Sequence, residues 1–277
     1  VTDCAFPVCY GEKGICRVEL ISERLDGNMI LAGGSASNSI PAYASAEIRL
    51  ADGGQKTIQT KGISGHAAFP LGAKNALGIL AEKIADECTE ACILSEREKA
   101  VLEFLKKACG EGFGRELNIG CEDHISGVLT ASGTVVKAEG ERIVLEMDIR
   151  YPVTAKAGEI LEKLGNEAGK YRFSIRRYED DPPSYVDKDT PLVTCLTEAY
   201  EEVMKDGKKP YVMGGGTYAR KIPNAVGFGP GLDFNRKEAE MPKGHGDCHS
   251  ADEVQSVSSL KTAVRIYVKA LQKLDKL

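Results

Sequence analysis

The sequence predicts an α/β chain of the α+β kind, assembled in two parts, and three observations carry that expectation. Strand-like and helix-like patterns alternate along the whole length. A strand–strand–helix order in the first third recurs over residues 126–178 as strand–strand–helix–strand. After Asp180-Asp181-Pro182-Pro183 the texture changes to short apolar strands between amphipathic helices, the pattern of a mostly parallel sheet.

Each element has a local reason. Residues 1–10 contain the strand-like run Phe6-Pro7-Val8-Cys9-Tyr10. Residues 15–21 alternate Val18 and Leu20 with Arg17 and Glu19, as a half-buried strand does. Residues 41–50 and 55–63 read as two strands around the turn Ala51-Asp52-Gly53-Gly54. Residues 75–92 carry apolar side chains at 77, 80, 84 and 88, a helical spacing that sets Cys88 and Cys92 on one face. A second helix starts at Ser95, with Glu98 three residues on, and stops at Gly110.

Residues 126–138 and 141–151 form a hairpin-like pair around Glu139-Gly140, followed by a helix over 155–171 and a strand over 172–178. Residues 191–206 read as an amphipathic helix, 211–213 and 225–228 as short strands, and 254–277 as a closing helix. That helix shows apolar residues at 260, 264, 267, 271 and 274. The expected organisation is one inserted domain over 13–180, made of two related α+β halves. Residues 1–12 and 181–277 form the other.

Composition excludes several classes. Lys and Arg total 36 against 41 Asp and Glu, so the charge of -5 gives no general attraction to nucleic acid. No apolar run reaches the roughly 20 residues that span a bilayer. Nine scattered cysteines, an odd number without repeated C-x2-C pairs, fit neither a disulfide framework nor a structural zinc site. They are expected to be reduced, in a cytoplasmic protein. The chain opens at Val1, without Met or leader pattern, directly into a strand, so a fragment beginning inside a fold is expected.

Four histidines make each one easy to weigh. Residues 244–253 pack His245, Asp247, Cys248, His249, Asp252 and Glu253 into ten positions. Such a loop offers metal ligands, or equally caps the helix that follows. His66 sits in the small-residue loop Gly62-Ile-Ser-Gly-His-Ala-Ala-Phe-Pro70, which presents an imidazole without crowding or simply exposes it. His124, beside Glu122 and Asp123, reads as a solvated loop residue. Gly214-Gly215-Gly216-Thr217-Tyr218-Ala219-Arg220 follows a strand, so its backbone N–H groups suit an anion, or merely make a tight turn. Arg150 ends an apolar strand, where it either clamps a carboxylate or forms the strand's polar edge.

The order of these pieces is more specific than any one of them. Thr2-Asp3-x-x-Phe6-Pro7-Val8-x-Tyr10-Gly11-Glu12-Lys13-Gly14 is followed by Gly33-Gly34, Asn38-x-x-Pro41, Gly62-x-Ser64-x-His66 and Pro70. Then come Asp148-x-Arg150-Tyr151-Pro152, the 214–220 segment and His249-x-x-Asp252-Glu253. The succession resembles the aminoacylase-type dinuclear zinc peptidases, and among them the PepV-type, carnosinase-like bacterial dipeptidases, over essentially the whole chain.

The resemblance implies part of a zinc-peptidase catalytic sheet with helices, plus an inserted, internally duplicated lid. It implies a metal-dependent dipeptidase acting on short peptides with a free C-terminal carboxylate, with two zinc ions, and a monomer. Asp3 and His249 match zinc ligands, one on each ion. His66 matches the lid histidine that stabilises the oxyanion, and Asn38 and Arg150 match lid residues that hold the substrate carboxylate. Gly214, Gly215 and Gly216, with Thr217 and Arg220, match the substrate-binding turn. These roles suit the chemistry, because peptide hydrolysis needs donors aimed at developing charge and an exopeptidase must read a charged terminus.

The departures are equally specific. In the family a His-x-Asp segment and a Glu-Glu pair precede the Asp3 strand. Here His245-Gly246-Asp247 has the spacing in the wrong order, and Glu201-Glu202 lies on the wrong element. The chain alone is therefore expected to lack the bridging Asp and the general base, and to be inactive. The alternatives are a truncated, non-catalytic peptide- or carboxylate-binding relative and an anion-binding protein built on the triple-Gly turn.

Overall fold

The structure is a computed structural model that describes residues 1–88, 92–232, 246 and 252–277. The chain forms two compact units, Val1–Glu12 with Ser184–Leu277, and Lys13–Pro183. The first unit begins with β1 (Cys4–Ala5) and β2 (Cys9–Glu12), so the single expected strand is two pieces flanking Phe6-Pro7. A proline has no N–H for a ladder, which accounts for the gap.

The second unit starts with β3 (Gly14–Ser22), β4 (Met29–Gly33), β5 (Ser39–Ile40), β6 (Tyr43–Arg49), β7 (Gln55–Lys61) and β8 (Gly65–His66). Helix α1 (Ala76–Glu87) is capped by Asn75, whose side chain accepts from the Leu77 N–H. Helix α2 (Glu96–Ala108) carries the capping box expected at Ser95 and Glu98. After β9 (Glu122–Asp123) and β10 (Gly127–Val128) come β11 (Thr130–Glu139), β12 (Arg142–Tyr151), α3 (Ala157–Lys170) and β13 (Phe173–Asp181).

Seven of these strands make one antiparallel sheet in the order β13-β3-β12-β11-β4-β6-β7. Alternate residues of β3 (Cys16, Val18, Leu20) and β12 (Leu145, Met147, Ile149) join Leu77 and Leu80 of α1, Phe104 of α2 and Leu164 of α3 in one apolar core. Each such leucine or phenylalanine contributes roughly 1.5–3 kcal/mol of transfer free energy. The alternating positions Glu19, Asp148 and Arg150 fall on the opposite face.

Helix α1 stops five residues before the expected end. Cys88 takes a non-helical conformation as its C-cap, and its sulfur is bonded to Cys92. The two cysteines therefore form a disulfide instead of sharing a helical face. The remaining six cysteines among the described residues are free.

The first unit resumes with β14 (Ser184–Tyr185), α4 (Pro191–Met204), β15 (Tyr211–Met213), β16 (Pro230–Gly231) and α5 (Val257–Leu274). Strand β2 lies between antiparallel β14 and parallel β15, and β1 pairs parallel with β16. The strand expected at 225–228 is absent, because Gly227 exchanges only a single pair of backbone bonds with Cys9. Phe6, Val8, Tyr200, Phe228 and Ile266 form this unit's core. The Phe6 and Phe228 rings meet edge-on at 4.9 Å.

The apolar stripe expected to bury α5 is largely outside. Leu260, Val264 and Leu271 are 43, 60 and 67% exposed, while Ala263, Ile266 and Ala270 face the core. The helix is apolar on two faces: Ala263, Ile266 and Ala270 are buried, and of the expected stripe Tyr267 and Leu274 pack partly against the same core, Tyr267 meeting the Phe228 ring.

Candidate functional site

In the Lys13–Pro183 unit the fold brings together two of the expected residues. Strands β5 and β8 set Ser39 opposite His66 and Ile40 opposite Gly65. The Ala67 N–H donates to the Asn38 carbonyl at 2.9 Å, and the Ser64 hydroxyl donates to the Ile40 carbonyl at 3.1 Å. Both Asn38 and His66 are exposed. The Ala68 N–H donates to Nδ1 of His66 at 3.0 Å. An Nδ1 that accepts this bond carries no proton, which leaves the ring's proton on Nε2. The Phe69 ring, 5.8 Å away, flanks the imidazole.

The loop leading to Asn38 depends on Gly34. Its φ is +79°, and a Cβ there would lie 1.9 Å from the Thr134 carbonyl oxygen. Only glycine permits this approach.

Arg150 is held more firmly than its sequence position indicates. Nε and Nη2 donate to the two carboxylate oxygens of Asp148 at 2.6 and 2.8 Å, with the two side chains 4 and 0% exposed. Residues two apart on a strand share a face, so the Asp-x-Arg spacing itself encodes this bidentate pair. Asp148 was the missed partner, and that spacing was the signal for it. Thr130 lies directly across the β11–β12 ladder from Arg150, with its buried hydroxyl unpartnered.

The other unit holds Asp3 and the 214–220 turn. Asp3 is exposed and accepts a 3.4 Å bond from the Tyr218 N–H. Gly214 is buried and Gly216 exposed. Thr217 and Arg220 turn inward to Glu12, a buried carboxylate that the motif contained but whose partners the sequence did not reveal. The Thr217 N–H reaches both Glu12 oxygens at 3.1 Å, its hydroxyl reaches Oε1 at 2.5 Å, and Arg220 Nε reaches Oε2 at 2.9 Å. Thr217 also caps the short turn Tyr218–Lys221 through the Ala219 N–H.

His249 lies outside the described residues, as do His245, Asp247 and Cys248. Among the described residues no three His, Cys, Asp or Glu side chains gather as metal ligands. A zinc site takes three or four protein ligands, and Asp3 is one exposed carboxylate, so the described residues do not complete such a site. The Glu201-Glu202 pair serves local structure, with Glu201 accepting the Gly207 N–H and Glu202 pairing with Lys273.

Cysteine chemistry is poorly served here. Burial pushes the Cys9, Cys16 and Cys109 thiols up to about 12, where the nucleophilic thiolate is scarce at neutral pH. No helix among the described residues is long and apolar enough to cross a membrane.

The chain is 29% identical over 309 residues to the protein named "Putative dipeptidase YtjP" of Bacillus subtilis (strain 168), covering 99% of this chain and 63% of that one. It is 26% identical over 307 residues to "Putative dipeptidase SAR1836" of Staphylococcus aureus (strain MRSA252), covering 98% and 62%. It thus spans under two thirds of the length of these relatives. A solved structure, the aminoacylhistidine dipeptidase from Vibrio alginolyticus, aligns at 14% identity and a TM-score of 0.49, over 84% of this chain and 59% of that one. The model of Peptidase family M20/M25/M40 matches residues 27–273, and the chain belongs to that family.

Proposed function

We propose that the protein is a metal-dependent dipeptidase that hydrolyses short peptides with a free C-terminal carboxylate. The observation that carries this reading is the seat of His66, whose Nδ1 accepts a backbone N–H, which orients the ring and leaves its proton on Nε2. A preorganised donor of this kind is what a tetrahedral oxyanion requires. Asn38, immediately before β5, and Arg150, oriented by Asp148, supply the amide and the guanidinium for the substrate carboxylate. The 214–216 glycines contribute backbone N–H groups on the other unit. The Glu12–Thr217–Arg220 cluster keeps their turn in place.

Asp3 and His249 are the proposed metal ligands, and zinc is the metal that suits a His and carboxylate set. Bound metal would supply an activated water and a polarised carbonyl. In this reading the general base is not among the described residues, and the isolated chain is inactive. The domain division is that of a catalytic part, 1–12 with 181–277, and a lid, 13–180, in a cytoplasmic monomer.

The test is a chimera in which this chain replaces the matching part of the YtjP relative. It should cleave dipeptides, stop on chelation and regain activity with zinc. His66→Ala should lower kcat by about a hundredfold, the scale of one oxyanion donor. A blocked C-terminal amide should be a poor substrate. Equal turnover of the free acid and the amide would overturn the carboxylate reading. Peptide binding by the chimera without any turnover would favour the non-catalytic alternative.

A further inference from the structure

The face of β4, β6 and β7 that carries Ala32 holds a depression of about 550 Å³, bordered by Tyr43, Ser45, Gln59 and Lys61. This volume falls within the roughly 300–1,000 Å³ of small-molecule sites. The β6–β7 register sets Tyr43 opposite Lys61 and Ser45 opposite Gln59, so the four side chains share one face. Tyr43 is 65% exposed, and Lys61 Nζ stands 5.7 Å over its ring. The small Ala32 and Ser45 leave the space that larger strand residues would fill.

Lys61 adds an ammonium to this face, and like Lys74 and Lys163 it forms no ion pair among the described residues. Elsewhere in the unit Lys56 pairs with Glu87, Lys137 with Glu139, and Arg176 with Glu139. Among the described residues Lys61 has no carboxylate within ion-pair distance, and its recorded contact is the tyrosine ring. An ammonium beside an aromatic wall, with an amide and a hydroxyl at the rim, matches an anion carried on an apolar stem.

We propose that this depression is a carboxylate-binding subsite, taking a free carboxylate borne on an apolar or aromatic stem, as at a peptide C-terminus. Lys61 meets the carboxylate, Gln59 and Ser45 donate hydrogen bonds, and Tyr43 and Ala32 pack against the stem. The subsite lies on the hairpin that continues into the His66 seat, where Ser39 faces His66. It is separate from Arg150 and independent of hydrolysis.

The experiment uses the full 277-residue chain with a chelator present. Binding of N-acetylphenylalanine and of N-acetylphenylalaninamide is followed by nuclear magnetic resonance shifts. The acid should bind about twofold to fivefold more tightly, the scale of one exposed ion pair. Lys61→Met should abolish that preference, with an unchanged circular dichroism spectrum. Tyr43→Ala should weaken acid and amide alike. Equal binding of acid and amide, or a preference that survives Lys61→Met, would overturn the proposal. Because nothing in this assay depends on metal or turnover, failure of the dipeptidase reading leaves its outcome unaffected.

Discussion

The Glu12 carboxylate accepts the Nε proton of Arg220 at 2.9 Å, with both side chains almost wholly removed from water. The Thr217 backbone and hydroxyl complete the cluster. A buried ion pair is costly to break from one side, because the remaining charge is left unsolvated. Glu12→Ala should therefore lower stability in urea by about 3–5 kcal/mol. The exposed pair of Glu198 with Lys273 provides the contrast, and Glu198→Ala should cost less than about 1 kcal/mol.

Acid should weaken the Lys13–Pro183 unit through Asp123. Burial pushes its carboxyl up, but bonds from the Ser126 N–H and hydroxyl and from Thr154 outweigh this and hold it at about 2, below the ordinary 3.8. A depressed folded-state value stabilises above the unfolded value and is lost as pH falls through the folded one. The contribution should be complete above about pH 5 and disappear between pH 3.8 and about 2. Asp123→Asn should flatten that part of a plot of Tm against pH. An unchanged acid limb would show that other carboxylates govern it.

Helix α5 offers a test of which face is buried. Ile266 is fully buried and Val264 is 60% exposed, two positions apart on the same helix. Ile266→Ala should cost about 2–5 kcal/mol, whereas Val264→Ala should stay within about 0.5 kcal/mol. Similar costs at the two sites would mean that the outer stripe is also packed.

Gly34→Ala should be disproportionately harmful for the gain of one methyl group. The positive φ costs about 1–2 kcal/mol for an L residue, before the clash with the Thr134 carbonyl is counted. Its second effect should be on the chimera, where displacement of the loop leading to Asn38 should raise KM more than it lowers kcat.

Local signals located most elements to within a few residues, as with Ser95 and Glu98 at the start of α2 or Gly140 in the β11–β12 turn. These depend on neighbours in the chain, so a linear reading reaches them. The departures arose where a distant partner decides. The 225–228 segment has the composition of a strand but forms one isolated bridge, Gly227 with Cys9, beside single bonds to Val1. On α5 the core took Ala263, Ile266 and Ala270 and left Leu260, Val264 and Leu271 exposed. At the candidate site, the Asp148–Arg150 clamp was encoded by a spacing of two. The partners of Glu12 lie 205 and 208 positions away, which no local pattern records.

Strands β4 and β11 join the two halves of the large sheet through one paired position, Gly33 with Val136. Asn75 adds one side-chain bond across to the Gly133 carbonyl, and the shared apolar core does the rest. A seam with so few backbone bonds is where amide protons exchange with solvent early. In hydrogen-exchange terms the β3, β11, β12 and β13 half and the β4, β6 and β7 half should open as separate cooperative blocks, parting along β4 before either block melts.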